Sequence, residues 1–374
     1  MSPPTEALQR ISRLAPLSEL MARLVDLAQP VPPKEVEPAA AVGATLAADV
    51  AATVSFPASA IAMRDGWAMT ADLISDAGPY SPAPLSPQPD WVETGERMPA
   101  GTDAVLPLDA VTVTTSGAEA HASAIPGEGV LPAGADVAKG AVLRRAGERL
   151  RPSDVAILRA ARIENVSARA PRVKIFCASV ATRSNADTIS SILARAIEAA
   201  GGIAEVAQAA SLESALLDRA CDAIVTIGGT GTGRRDASVK TLARVGKVEI
   251  HGFGIAPGET AALGSANSRP VLMLPGRLDA SIAIFLAVGC QLVARLAGRG
   301  DDEPVIPVTL AKKITSTVGL AEVVLVRRAE RGVEPLASGF FPWNALARAD
   351  GWILVPPESE GFAEGAAVEM RLLP

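Results

Sequence analysis

Residues 223–236, AIVTIGGTGTGRRD, have the residue types of an anion cradle: an apolar run enters Gly228, Gly229, Gly231 and Gly233 and then a helical pattern. Glycine permits backbone angles and a close ligand approach that a side chain blocks, and the amides at a helix start point toward negative charge. Gly228, Gly229, Thr230, Gly231, Thr232 and Gly233 are therefore candidate binding residues. Asp236 stands where the following helix begins. Glycines at this spacing also make plain strand-to-helix turns, and an aspartate there also caps helices, so the loop alone leaves both readings open.

The elements that must position this loop read as an alternating α/β unit. After Pro171 the pattern predicts a strand at residues 172–178. A helix capped by Asp187 then carries Ile189, Ile192, Leu193, Ala196 and Ile197 and stops at Gly201-Gly202. A strand at residues 223–227, a helix from about Ala237, a strand at residues 271–274 and a long helix at residues 279–296 follow. That order predicts a doubly wound parallel sheet, whose ligands gather beyond the carboxyl ends of the strands. The glycine loop and Leu274-Pro275-Gly276 then converge on one face, with Arg277, and less so Arg234 and Arg235, as loop cations suited to phosphate, the alternative being solvated loop arginines.

The flanking segments differ in texture. Leu20, Met21, Leu24, Val25 and Leu27 lie at helical spacing before the break Gln29-Pro30-Val31-Pro32-Pro33. Residues 36–166 read as short strands between Gly, Pro and Asp, with a surface loop at residues 81–89 and a helix at residues 152–161. A polar break at residues 298–304 precedes strands at residues 305–310, 322–327, 352–356 and 367–373, a small β domain suited to packing or gating at the site or at a dimer contact. The predicted organisation is residues 1–50 with 140–168 as a discontinuous helical and linker domain. Residues 51–139 form a β-rich domain, 169–299 the α/β domain and 300–374 a C-terminal β domain.

At 374 residues the chain exceeds one ordinary core, and its net charge of -6 argues against a broad nucleic-acid surface while leaving small anions as ligands. Cys177, Cys221 and Cys290 are far apart and outside metal-ligand spacing, as reduced thiols would be. Two histidines, His121 and His251, are too few to suggest a zinc site or a histidine-based triad. The N-terminus MSPPTEALQR lacks a basic segment followed by an apolar one, and no uninterrupted apolar run reaches membrane-spanning length. The expectation is a cytoplasmic protein without membrane or nucleic-acid partners.

Taken in order, the segments resemble the MoeA family, the molybdopterin molybdotransferases that include the E domain of gephyrin. The resemblance runs nearly end to end. Met63-Arg64-Asp65-Gly66-Trp67-Ala68-Met69 is similar to the family's M-D-G-Y-A-V, and Thr94-Gly95-Glu96-Arg97-Met98-Pro99-Ala100-Gly101-Thr102-Asp103-Ala104-Val105 to T-G-x-x-x-P-x-G-A-D-A-V. Residues 228–236 resemble G-G-V-S-V-G-x-x-D, Ile255-Ala256-Pro257-Gly258 resembles M-K-P-G, and Leu274-Pro275-Gly276 resembles L-P-G-N-P. The resemblance implies a multidomain α/β plus β fold with a three-layer α/β molybdopterin-binding domain, a β-rich N-terminal domain and a small β-barrel-like C-terminal domain. It also implies a homodimer that inserts molybdate into adenylylated molybdopterin with Mg, releasing AMP, and that meets a molybdoenzyme or a molybdopterin adenylyltransferase. By this resemblance Asp65, Thr94 and Asp236 are catalytic, and Asp236 is the metal ligand. Asp187, Thr188, Pro257, Gly258, Pro275, Gly276 and Arg277 join the glycine loop in binding the pterin.

Several motif positions depart from the family. T-G-D-E-L has become Ala178-Ser179-Val180-Ala181-Thr182, without either carboxylate, and an acidic pair is replaced near residues 209–211. K-P-G-K-P has become Ala256-Pro257-Gly258-Glu259-Thr260, the lysine after the loop aspartate is Val239, N-P-V-S-A is Arg277-Leu278-Asp279-Ala280-Ser281, and a serine is Ala62. Glu259 in place of lysine replaces an attraction for phosphate with a repulsion. Three readings follow: a working molybdotransferase, a molybdopterin-binding or cofactor-delivery scaffold with impaired turnover, and an interaction protein that keeps only the scaffold.

Overall fold

Six strands form the sheet that carries the glycine loop, in the spatial order Ile203–Val206, Arg172–Cys177, Ala223–Ile227, Arg269–Leu274, Ala262–Ala266 and Lys247–His251. The computed structural model describes residues 8–115, 117–178, 183–300 and 305–373. The first four strands run parallel, but the last two pair antiparallel, so the sheet is mixed and not parallel throughout as the sequence suggests. Turn length is the reason: only Asn267 and Ser268, at φ 50° and 60°, separate Ala262–Ala266 from Arg269–Leu274. Two residues at positive φ close a hairpin and cannot span the crossover that a parallel pair needs.

Side chains alternate across the sheet and define three layers. Ala223, Val225 and Ile227 share a core with Ile189, Leu193 and Ile197 of one helix and Ile282–Leu286 of another, whereas Ile224 packs on the opposite face with Leu216, Val239 and Leu242. Among the described residues the α-helices are α1 (Leu17–Leu27), α2 (Asp154–Ala160), α3 (Arg183–Ala199), α4 (Leu212–Leu217), α5 (Ser238–Val245), α6 (Leu278–Leu296) and the short α7 (Trp343–Leu346). Helix α1 buries Leu20 and Leu24 in the core of the α/β unit and leaves Val25 exposed. The N-terminus of α3 lies at Arg183, so Asp187 sits inside the helix and does not cap it, a correction to the sequence reading. The first turn carries no apolar stripe, which is why the periodicity becomes visible only at Ile189.

Helix α6 is long and apolar enough by composition to cross a membrane, yet 83% of its most apolar window is buried inside the protein, as in a core helix. A π turn at Phe285–Gly289 widens it, and a Cβ on Gly289 would stand 2.4 Å from the Phe285 ring.

Three smaller units surround this domain. Lys34–Val36 and Thr45–Leu46 pair with Val166–Arg169, and Val50–Ala51 pairs with Val142–Arg144, joining two distant stretches of sequence. The β-rich unit has its own small cores around Ile74 and Leu106 and around Val92 and Val105. The C-terminal sheet is built on Ala321–Ala329, with Gly351–Val355, Ala367–Leu372 and Ile306–Thr309 following in order and Gly332–Ala337 on its other side. Its outer strand, Ile255–Ala256, comes from the α/β segment and pairs parallel with Ala321 and Glu322.

Candidate ligand site

Three loops meet beyond the carboxyl ends of the parallel strands. The Gly228 amide donates to the Leu274 carbonyl at 2.9 Å, and a Cβ on Gly276 would lie 3.5 Å from the Gly228 Cα. Thr230 Oγ1 stands 3.3 Å from Thr260 Oγ1, and His251 Nε2 contacts the Thr230 carbonyl at 2.9 Å, tying in the turn at residues 256–260. Gly228 and Gly229, at φ 88° and 76°, make the sharp exit from the strand that a Cβ would strain. Among the described residues no acceptor meets the amides of Gly229, Thr230, Gly231 or Thr232, whereas the Thr230 side chain is buried. The loop therefore offers backbone donors more than side chains to a ligand.

Asp236 is turned into this loop. Its Oδ2 accepts the Gly233 amide at 2.8 Å and lies so close to Gly231 and Gly233 that a Cβ on either would clash. Helix α5 begins at Ser238, with Ala237 as a cap that contributes no side-chain bond, so Asp236 does not cap it. Gln9 does. Its Oε1 accepts from Val239 N at 3.0 Å and Lys240 N at 3.2 Å, while Nε2 donates to the carbonyls of Gly229 at 3.0 Å and Gly231 at 2.8 Å. Sequence reasoning missed Gln9 because its partners lie more than 200 residues away and nothing in its local pattern marks it. Among the described residues no group of three His, Cys, Asp or Glu forms a metal-ligand cluster. One carboxylate with an oxygen already engaged fits magnesium only if ligand phosphates supply the remaining oxygens.

In the neighbouring loops, Pro257 and Gly258 are buried, and a Cβ on Gly258 would stand 2.3 Å from Ile284 Cγ1, so these two residues seat the turn against α6. The Glu259 carboxylate folds back to accept the Gly258 amide at 3.0 Å. Pro275 is buried, and Gly276 and Arg277 are exposed. Arg277 grips Asp279 through two nitrogens, Nε at 3.1 Å and Nη2 closer still, and lies 5.6 Å from the Phe340 ring centroid. The Asp279 carboxylate raises the guanidinium pKa above its ordinary value. Arg277 thus stands at the loop face paired with Asp279. Arg234 and Arg235 are solvent-exposed.

In the first turns of α3, Asp187 is exposed, and Thr188 lines an apolar cavity of about 490 Å³ shared with Leu278, Ile282, Phe285 and Trp343. Burial, and secondarily the Asp187 charge, push the Cys177 thiol pKa up; its Sγ is 3.0 Å from Ser190 Oγ. Residues 179–182, where the family's carboxylates would stand, lie outside the described residues. Near residues 209–211, Ser211 and Ser214 form a reciprocal capping box for α4.

Asp65 and Thr94 are brought together on the β-rich unit. Thr94 N and Oγ1 both donate to Asp65 Oδ1 at 2.7 Å, and these bonds hold the carboxyl below the usual range. Among the described residues this pair shares no strand pairing, hydrogen bond or apolar cluster with the glycine loop.

Residues 3–161 match the MoeA N-terminal region (domains I and II), residues 178–295 a molybdopterin-binding domain and residues 307–373 the MoeA C-terminal region (domain IV). A Methanocaldococcus jannaschii protein named for molybdopterin biosynthesis is 25% identical, covering 91% of this chain and 92% of its own. Molybdopterin molybdenumtransferase 2 of Mycobacterium tuberculosis is also 25% identical, over 88% of this chain and 92% of its own. The crystal structure of a MoeA protein from Pyrococcus horikoshii superposes with a TM-score of 0.73 at 23% identity, covering 96% of this chain and all of that one. With three matched regions in family order and the same fold end to end, the chain belongs to the MoeA family.

Proposed function

We propose that this protein acts in molybdenum cofactor biosynthesis by binding a molybdopterin-type ligand across the three converging loops, with little or no molybdate insertion of its own. The observation that carries this reading is the row of unpaired amides at residues 229–232, set where three loops meet and where Asp236 and Glu259 are engaged by backbone amides and Arg277 by Asp279. Such a cradle receives the pterin phosphate through backbone dipoles. Turnover requires more: a phosphoanhydride leaving group needs charge stabilisation in its transition state, and here Glu259 stands where the family has lysine while Arg277 is neutralised by Asp279. Magnesium would enter with the ligand phosphates, leaning on Asp236.

The protein is proposed to work as a cytoplasmic homodimer. Asp65 and Thr94 keep the family's motif yet stand apart from the glycine loop of their own chain, so a second copy would supply the missing half of the site. A molybdoenzyme or a molybdopterin adenylyltransferase is the proposed partner for transfer. The retained, ionised Asp65 favours a second reading, a working molybdotransferase.

Anaerobic incubation with adenylylated molybdopterin, molybdate and Mg separates the readings. Saturable pterin binding without AMP release is the expected result. AMP release abolished by Asp65→Asn would establish the transferase, and absence of pterin binding would reject both.

A further inference from the structure

The end of α5 is closed from within the chain. Gln9 is 4% exposed, and all four hydrogen bonds of its carboxamide described above join residues more than 200 positions apart. The segment that carries it is fixed further along: Ala15 N donates to Gly252 O at 2.9 Å, and the Ala15 carbonyl accepts from Gly254 N at 2.7 Å. Gly252, at φ 102°, has no room for a Cβ beside the Arg13 carbonyl and Ile11. Residues 9–15 therefore run as a strap from the glycine loop to the strand that leads into the turn at residues 256–260.

We propose that Gln9 is the positioning residue of the glycine loop and sets where an anion can bind. The inference rests on the proposed ligand reading. Its oxygen takes the helix-end amides of Val239 and Lys240, which removes the usual anion seat at a helix N-terminus. Its amide group holds the carbonyls of Gly229 and Gly231, and carbonyls held inward turn the intervening amides outward. The ligand's phosphate is thereby directed to the amides of residues 229–232 at the loop crest and away from the end of α5.

Two substitutions separate the halves of this contact. Gln9→Glu keeps an acceptor for the helix amides but, when ionised, cannot donate to the loop carbonyls; Gln9→Ala loses both. Arg234 and Arg235 are exposed in the same loop, so trypsin cleavage there, mapped by mass spectrometry, reports loop opening without any ligand. Both variants are expected to be cut faster after these arginines. In Gln9→Glu molybdopterin affinity is expected to fall about tenfold, a loss that lessens at acidic pH as the carboxyl regains a proton to donate. Wild-type cleavage and affinity in both variants would overturn the role of Gln9. Failure of the wild-type protein to bind molybdopterin, with cleavage still accelerated in both variants, would instead overturn the ligand reading and leave the loop-holding role intact.

Discussion

Replacing Asp279 with Asn tests whether the Arg277 pair sets the charge of the ligand face. The carboxylate is almost fully buried, at 4% side-chain exposure, whereas its guanidinium partner is 63% exposed, so the full Coulomb energy of a buried pair does not apply. Asparagine keeps one acceptor but turns its own donors toward Arg277, and it removes a negative charge from the first turn of α6. Against that stands relief of the buried carboxylate's desolvation, leaving a net loss of about 1–2 kcal/mol in stability. Binding should move in the opposite direction. Arg277, Asp279 and Glu259 together carry one net negative charge, and the substitution brings that sum to zero. For a pterin phosphate of charge near −2 at about 8 Å, with an effective dielectric of about 60, the gain is on the order of 1 kcal/mol, or about fivefold to tenfold at low salt. At about 0.15 M salt it should shrink to about threefold. Titration calorimetry with molybdopterin at two ionic strengths, paired with urea unfolding, reads both quantities. Unchanged or weaker binding at low salt would refute the placement of the phosphate beside these loops.

Other substitutions probe neighbouring parts of the site. Gly276→Ala places a methyl in ordinary contact with Gly228, so stability should stay within about 0.5 kcal/mol while molybdopterin affinity falls about tenfold as the methyl fills the approach; equal affinity would move the ligand elsewhere. Gly258→Ala must cost about 2–4 kcal/mol in urea unfolding because φ is 138° and Ile284 blocks the Cβ, and an added Ile284→Ala should give a loss smaller than the sum of the single changes. Thr94→Val removes the hydroxyl bond to Asp65 and keeps the amide bond, so the Asp65 midpoint should rise part of the way to its ordinary value in a carboxyl NMR titration. Because that pKa is depressed in the folded protein, its contribution to stability is present above the unfolded value of about 3.9 and is lost as pH falls through the folded midpoint. An unmoved midpoint would show that the hydroxyl contributes nothing.

Local pattern carried most of the elements that hold the site. The strand at Ala223–Ile227 was readable from its apolar run and glycine exit, and α1, α5 and α6 from apolar spacing. Lys247–His251 and Ala262–Ala266 were not readable, because KVEIH lies against a bulge and ALGSA is mostly small residues. Gly264 in the middle of the latter is required by the Lys247 carbonyl, which would meet a Cβ at 2.2 Å. At the site, the convergence of two loops followed from strand order alone, since both leave the same edge of the sheet. The engagement of the α5 end by Gln9 depended on tertiary geometry, and although Arg277 and Asp279 are only two residues apart, residue type gives no sign of which partner a side chain will choose.

The short strand Ile255–Ala256 has an evolutionary consequence. It emerges from the segment matched by the molybdopterin-binding domain but hydrogen-bonds as the outermost strand of the C-terminal sheet, immediately before the turn that contacts Thr230. The C-terminal domain is therefore not a detachable module. A lineage that shortened, replaced or fused through that domain would remove the backbone partner of Ile255 and Ala256, and with it the anchor of one wall of the cradle. Drift in the distant sheet and drift in the ligand loops are coupled through two residue pairs, so tolerated insertions in the C-terminal domain should cluster away from Ala321 and Glu322.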